Sequence, residues 1–293
     1  MLKLVSFLNQ KKSIMDTKNL RHGFGIIAFA IATITYLITV QDSVPFWDCS
    51  EFSAAAILQQ VPHPPGAPLF LLVGKMFDLL IPFGDPGWKL NLLAVFSSSF
   101  TVWLLYYIIT MVINNLNGKS PQEIGEAIAV YGAALVGASA LTFSDTFWFN
   151  AVESEVYASS ALFVAIIAYL MLRWNEEADN PGHERFLLLI AYLIGLSTGV
   201  HLLAILAIFS ITYLVYFRKY EFTWKGFTIT SVIMLFIFAI IYPGIVKWLP
   251  ALLAGHTPQK TPALEYVAES AFFTYLALAG ILLMIYLMYM GYK

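Results

Sequence analysis

Two acids three residues apart, Asp48 and Glu51, share with His63 the stretch QDSVPFWDCSEFSAAAILQQVPHPPGAP at residues 41–68, which holds neither Lys nor Arg. Side chains of these types move protons. An ionised carboxylate can take a proton from a hydroxyl or lend negative charge to a cationic transition state, and at neutral pH it needs no perturbed pKa to do so. A second acidic group, Asp145, Glu153 and Glu155, falls in SDTFWFNAVESEVY at residues 144–157, and His201 follows the run GLSTGV.

The elements that must carry these groups follow from composition. Hydrophobic residues make up 59% of the chain and charged residues 12%, mean hydropathy is +0.75, and several apolar runs are long enough to cross a bilayer. This is the composition of a polytopic membrane protein. No basic stripe points to nucleic acid. The lone cysteine, Cys49, excludes an internal disulfide and a Cys-based metal site. Zinc-ligand spacing, a Gly-rich phosphate loop and a nucleophile elbow are also absent from the sequence, so nucleotide-driven and hydrolase readings lose their usual support.

Spans are expected at residues 24–40, 90–113, 127–143, 158–172, 226–246 and 271–290. Residues 69–81, LFLLVGKMFDLLI, are interrupted by Lys75 and Asp78 and would reach only roughly 20 Å as a helix, so they are read as an interfacial helix. Residues 186–217 would run roughly 48 Å as one helix and are read as two short passes meeting near His201. The acids of residues 144–157 would each cost about 2.5 to 3.5 kcal/mol at mid-bilayer, which places that stretch at the interface. The expected fold class is an all-α polytopic bundle of about eight spans, with juxtamembrane helices in the first outer loop. One membrane domain covers 1–293: a cytoplasmic tail at 1–22, the outer loop at 41–89, and the remaining spans at 90–293, with an outside loop from Lys247 to Glu269 that contains Pro250, His256, Pro258, Lys260 and Pro262. Under this topology 12 of the 16 Lys and Arg residues lie inside, as the positive-inside rule requires, and the N-terminus is cytoplasmic. Asp48, Glu51, His63, Asp145, Glu153, Glu155 and His201 then share the outer face.

Plainer readings stand beside the chemical ones. Asp48 and Glu51 ahead of an apolar run also form a capping-box pattern. The proline-rich run 62–68 is also a rigid corner, Trp47, Phe147, Trp148 and Phe149 are also interfacial belt residues, and His201 at a helix break is also a local hydrogen-bonding group.

Taken in order, FWDCSEF at 46–52, HPPGAP at 63–68, SDTFWF at 144–149 with AVESEVY at 151–157, and GVHLL at 199–203 resemble a bacterial domain-of-unknown-function family related to protein O-mannosyltransferases, within the GT-C superfamily of membrane glycosyltransferases. The resemblance covers roughly residues 23–220. It implies inverting transfer of a sugar, mannose foremost, from a polyprenyl-phosphate-linked donor to a hydroxyl of a protein or glycan acceptor, on the periplasmic face of a bacterial inner membrane. Carried over by position, Asp48 is the first choice for the general base and Glu51 the second. His63, Lys89, Asp145, Trp148, Glu153, Glu155 and His201 are the candidates for substrate binding. Lys75, Lys89, His63 and His201 are the outside groups able to meet a lipid phosphate, since no Arg lies outside. No cofactor is expected, and a divalent metal is left open. The resemblance departs at Ser50, where relatives commonly carry Gly, and in length: the chain stops at Lys293 straight after a span, as a fragment or short paralogue would. Two other classes are kept as alternatives, a transporter of lipid-linked sugar and a non-catalytic membrane subunit.

Overall fold

The computed structural model describes residues 2–64, 66–255 and 270–292, with side chains described from Thr17 to Met290 within those limits. The chain divides into two compact units, Met1–Ala207 and Ile208–Lys293. All regular structure among the described residues is helical.

In the first unit, α1 (Leu2–Leu37) carries the first apolar span in its second half, so the expected N-terminal tail continues the helix of that span. The outer loop folds into α2 (Asp48–Leu58) and α3 (Pro68–Leu80), whose 13 residues match the expected interfacial helix. Helix α4 (Pro86–Asn117) starts where Asp85 accepts from the amides of Gly87 and Trp88 at 2.8 and 3.4 Å with Pro86 in the first turn, and it ends at Gly118 in the left-handed region. The remaining elements are α5 (Ile124–Thr142), the short α6 (Asp145–Ala151), α7 (Val156–Glu177) and α8 (Glu184–Ser197), followed by a 3₁₀ turn at Leu202–Leu206.

Helix α4 is the axis of this unit and packs against α1, α5 and α7. The small pairs Ala28/Ala32 on α1 and Ala134/Ala138 on α5 recur every four residues and are fully buried, which lets the backbones approach around Val95, Val102 and Tyr106 of α4. Tyr36 Oη donates to the carbonyl of Thr142 at 3.1 Å, and the buried Ser97 and Ser159 hydroxyls pair at 3.1 Å between α4 and α7. Both bonds satisfy polar groups that hydrocarbon could not.

The second unit contains α9 (Ala207–Lys219) from Ile208 onward, α10 (Trp224–Ala239), a wide π turn at Ile240–Trp248 around Pro243, α11 (Leu249–Leu253) and α12 (Ala271–Tyr292). Pro243 has no N–H to give, so the ladder is broken there and the turn widens. Lys247 and Pro250, expected in an outside loop, are therefore helical. His256, Pro258, Lys260 and Pro262 of that loop lie outside the described residues.

Among the described residues, seven helical stretches are long and apolar enough to cross a membrane. The remaining pass expected within residues 186–217 falls on α8, whose 14 residues reach roughly 21 Å, short of the hydrocarbon core. The apolar run breaks where its glycines predict: tight turns carry the chain from Ser197 to His201, which is extended at φ −160°. At this break the Gly199 carbonyl accepts from the Leu69 and Phe70 amides at 2.7 and 3.2 Å, and so satisfies the start of α3.

A Cβ on Gly199 would lie 2.9 Å from Leu69 Cβ, whereas one on Gly195 would meet nothing within 4 Å. Gly199→Ala is expected to destabilise the fold by about 1–3 kcal/mol, and Gly195→Ala to leave it unchanged or slightly firmer. Thermal unfolding of both variants in detergent checks this; equal melting temperatures would refute the contact.

Candidate functional site

Helix α2 presents the first two acids, but not as a capping box. Trp47 precedes the helix at φ 65° and its side chain caps nothing; Asp48 and Glu51 both sit inside the first turn. Glu51 turns instead to the loop, where its Oε1 accepts from the His63 amide and its Oε2 pairs with His63 Nδ1, both at 2.6 Å. The Phe52 ring packs between His63 and Phe70, at 5.5 and 5.6 Å between centroids. Gly66 at φ 92° and Ala67 at φ 41° then bend the chain into α3.

Glu155 caps α7, accepting from the Val156 amide at 3.3 Å, and its other oxygen faces the Cys49 thiol, which donates at 3.6 Å. Next to it the Ser53 and Ser154 hydroxyls pair at 2.9 Å, so α2 is bonded directly to the 153–155 turn. Asp48, His63, Glu155, Tyr157, Val200 and His201 line one open cavity of about 80 Å³. Among the described residues no group hydrogen-bonds the Asp48 carboxylate.

The electrostatics separate the groups. The hydrogen bond to His63 holds Glu51 below its ordinary range, and the same bond holds His63 above its own. Glu153 and Glu155 are 7% and 8% exposed; burial pushes both carboxyls up, and the charge of Glu155 adds to the shift of Glu153. Burial, then the two glutamates, push the Cys49 thiol up, which keeps it protonated. His201 Nδ1 accepts from the Leu203 amide at 3.2 Å, which assigns the neutral ring's proton to Nε2, and burial lowers its pKa in agreement. Its ring lies 5.2 Å from that of Tyr157.

Of the residues singled out in the sequence, Asp48, His63, Glu155 and His201 meet in the cavity, with Glu51 behind His63 and Glu153 beside Glu155. Lys89 does not join them. It pairs with Asp78 at 3.3 Å, as Lys75 does at 3.0 Å while also donating to the Ile57 carbonyl, and the trio ties α2, α3 and α4 together. Asp145 opens α6 and does not line the cavity, and Trp148 donates to Thr39 Oγ1 at 2.9 Å. Sequence reasoning missed Tyr157 and the backbone at Ala67, whose positive φ no glycine announces. Asp48, Glu51 and His63 each offer one ligand atom within 4.8 Å of the others, a set able to hold a divalent cation once the Glu51–His63 bond opens.

A second cavity of about 190 Å³ adjoins the first at Val200. It is apolar, lined by Leu69, Phe70, Val73, Leu93, Leu162 and Phe163 among others, with the Ser97–Ser159 pair in its wall.

These features define a multi-pass helical membrane protein with a carboxylate cavity where α2, α7 and the end of α8 meet. The chain belongs to the family described as Protein O-mannosyl-transferase TMEM260 N-terminal domain, which matches residues 48–224. It is 27% identical over 172 residues to Protein O-mannosyl-transferase TMEM260 of Mus musculus, covering 59% of this chain and 22% of the mouse protein. Against the protein of the same name in Dictyostelium discoideum it is 26% identical over 163 residues, covering 55% of this chain and 18% of that protein. The chain thus spans about a fifth of the length of these curated relatives. No solved structure matches it.

A carboxylate held below its ordinary 4.5 gives stability that is complete above that pH and is lost as pH falls through the lowered value. A histidine held above its ordinary 6.5 gives stability that is complete below 6.5 and is lost as pH rises through the raised value. The Glu51–His63 clamp is therefore firmest between about pH 4.5 and 6.5. An NMR titration of the His63 ring is expected to give a midpoint above 6.5 that returns toward 6.5 in Glu51→Gln; equal midpoints would refute the clamp.

Proposed function

We propose that this chain carries the reaction centre of a GT-C-type membrane glycosyltransferase, which moves a sugar, mannose foremost, from a polyprenyl-phosphate donor to a hydroxyl of a protein or glycan acceptor. The observation that carries this reading is the junction at Val200, where a cavity bearing carboxylates opens beside an apolar groove. A lipid-linked sugar has the matching form, a polar head on a hydrocarbon chain. Family membership and the ordered motifs of the outer loop support the same reaction.

In this reading Asp48 is the general base. It takes the proton of the acceptor hydroxyl as that oxygen bonds to the anomeric carbon, the bond from that carbon to the phosphate oxygen breaks, and polyprenyl phosphate leaves with the electron pair. His63, whose hold on its proton is strengthened by Glu51, and the Nε2–H of His201 are the groups that meet the phosphate. Glu51 acts through His63 and not as a second base. Lys89, held by Asp78, takes no part. The expected topology, with most Lys and Arg inside, would put the cavity on the outer face, which is the periplasmic face if the membrane is that of a bacterium.

Transfer of radiolabelled mannose from polyprenyl-phosphate-mannose in membranes, at matched expression, tests this. Asp48→Asn is expected to lower transfer by about 10²–10⁴-fold, and Glu51→Gln by less. Full transfer by Asp48→Asn would remove Asp48 as the base. Wild type without transfer beside an active longer relative would favour a subunit role.

A further inference from the structure

We propose that the end of the bundle remote from the carboxylate cavity binds the phosphodiester headgroup of an anionic lipid, with Arg21 as its main ligand. Nineteen residues of α4 separate Asn91, bonded to the Gln41 and Ser43 carbonyls beside the outer loop, from Thr110, bonded to Arg21. That is roughly 28 Å of helix, close to the thickness of the hydrocarbon core, so Arg21 lies at the opposite boundary.

The guanidinium is held there entirely by neutral groups. Its Nη2 donates to Thr110 Oγ1 at 3.2 Å, its carbon lies 5.2 Å from the Tyr107 ring centroid, and Tyr106 Oη donates to the Arg21 carbonyl at 2.8 Å. Nε is shielded and unpartnered, and so is Asn114 Oδ1, one turn beyond Thr110 on the same face of α4. No carboxylate among the described residues pairs with Arg21, and Glu126, at the start of α5, is taken by Lys119 at 3.4 Å.

An arginine at the headgroup level stands where lipid phosphates lie, and its planar fork matches a phosphate. Lys18 and His22 stand one turn before Arg21 and directly after it, both exposed and one turn apart from each other, so they flank the same spot. A basic pocket between spans at the headgroup level is the form a lipid phosphate site takes.

The test uses the full chain, stripped of lipid in detergent and titrated in native mass spectrometry with phosphatidylglycerol, with diacylglycerol, and with phosphatidylglycerol in the presence of millimolar inorganic phosphate. Phosphatidylglycerol should bind and diacylglycerol should not. Arg21→Gln should weaken phosphatidylglycerol binding by about five-fold or more. Arg21→Lys, which keeps the charge, should recover part of it, and Lys18→Gln, at an exposed position, should lose less. Equal binding by wild type and Arg21→Gln would overturn the site. If Arg21→Gln does not fold, unchanged binding in Lys18→Gln together with full binding of diacylglycerol would overturn it. Displacement of the lipid by inorganic phosphate would overturn the lipid assignment in favour of a free-phosphate site.

Discussion

A carbonyl just past the end of α8 completes the start of the interfacial helix α3, and the rest of the site depends on that contact. Helix α3 begins at Ala67 in the left-handed region, without a side-chain cap, so its first amides need another acceptor. Gly199 supplies it. An amide left unsatisfied in such surroundings costs about 1–3 kcal/mol, and the approach is close enough that only a residue without Cβ fits. The same contact sets Val200 and His201 against Ala67 and His63. The carboxylate cavity and the apolar groove share a wall because this bond fixes it.

Around that frame, three acids with similar intrinsic chemistry are driven apart by their surroundings. Glu51 is committed to His63, and Glu155 is buried at the start of α7, bonded to an amide and to the Cys49 thiol. Asp48 faces the cavity with no hydrogen-bonding partner among the described residues. Of these three acids, Asp48 is the one that lines the cavity without a partner that engages its carboxylate.

Much of the frame was legible in the sequence because it rests on length and charge. Thirteen residues with Lys75 and Asp78 among them cannot cross a bilayer, and they form α3. The glycines before His201 announced the break between α8 and the next helical run. Pairing was not legible. Lys89 counts as an outside cation in sequence, but its charge is spent on Asp78 across the α3–α4 corner, and Glu51 meets a histidine twelve residues away only because the chain folds back after α2. Tyr157 and the groove at Val200 depend on how far α3, α4 and α7 stand from one another, which periodicity does not encode. The left-handed backbone at Trp47 and Ala67 occurs at residues that carry no such signal.

The most direct measurement is photo-crosslinking with a polyprenyl phosphate bearing a diazirine in its first isoprene unit, followed by mapping of the labelled peptides. Labelling at Leu69, Val73, Leu162 and Phe163, competed by unlabelled polyprenyl phosphate, is the predicted result. Labelling confined to α10 and α12, with none beside Val200, would contradict the account.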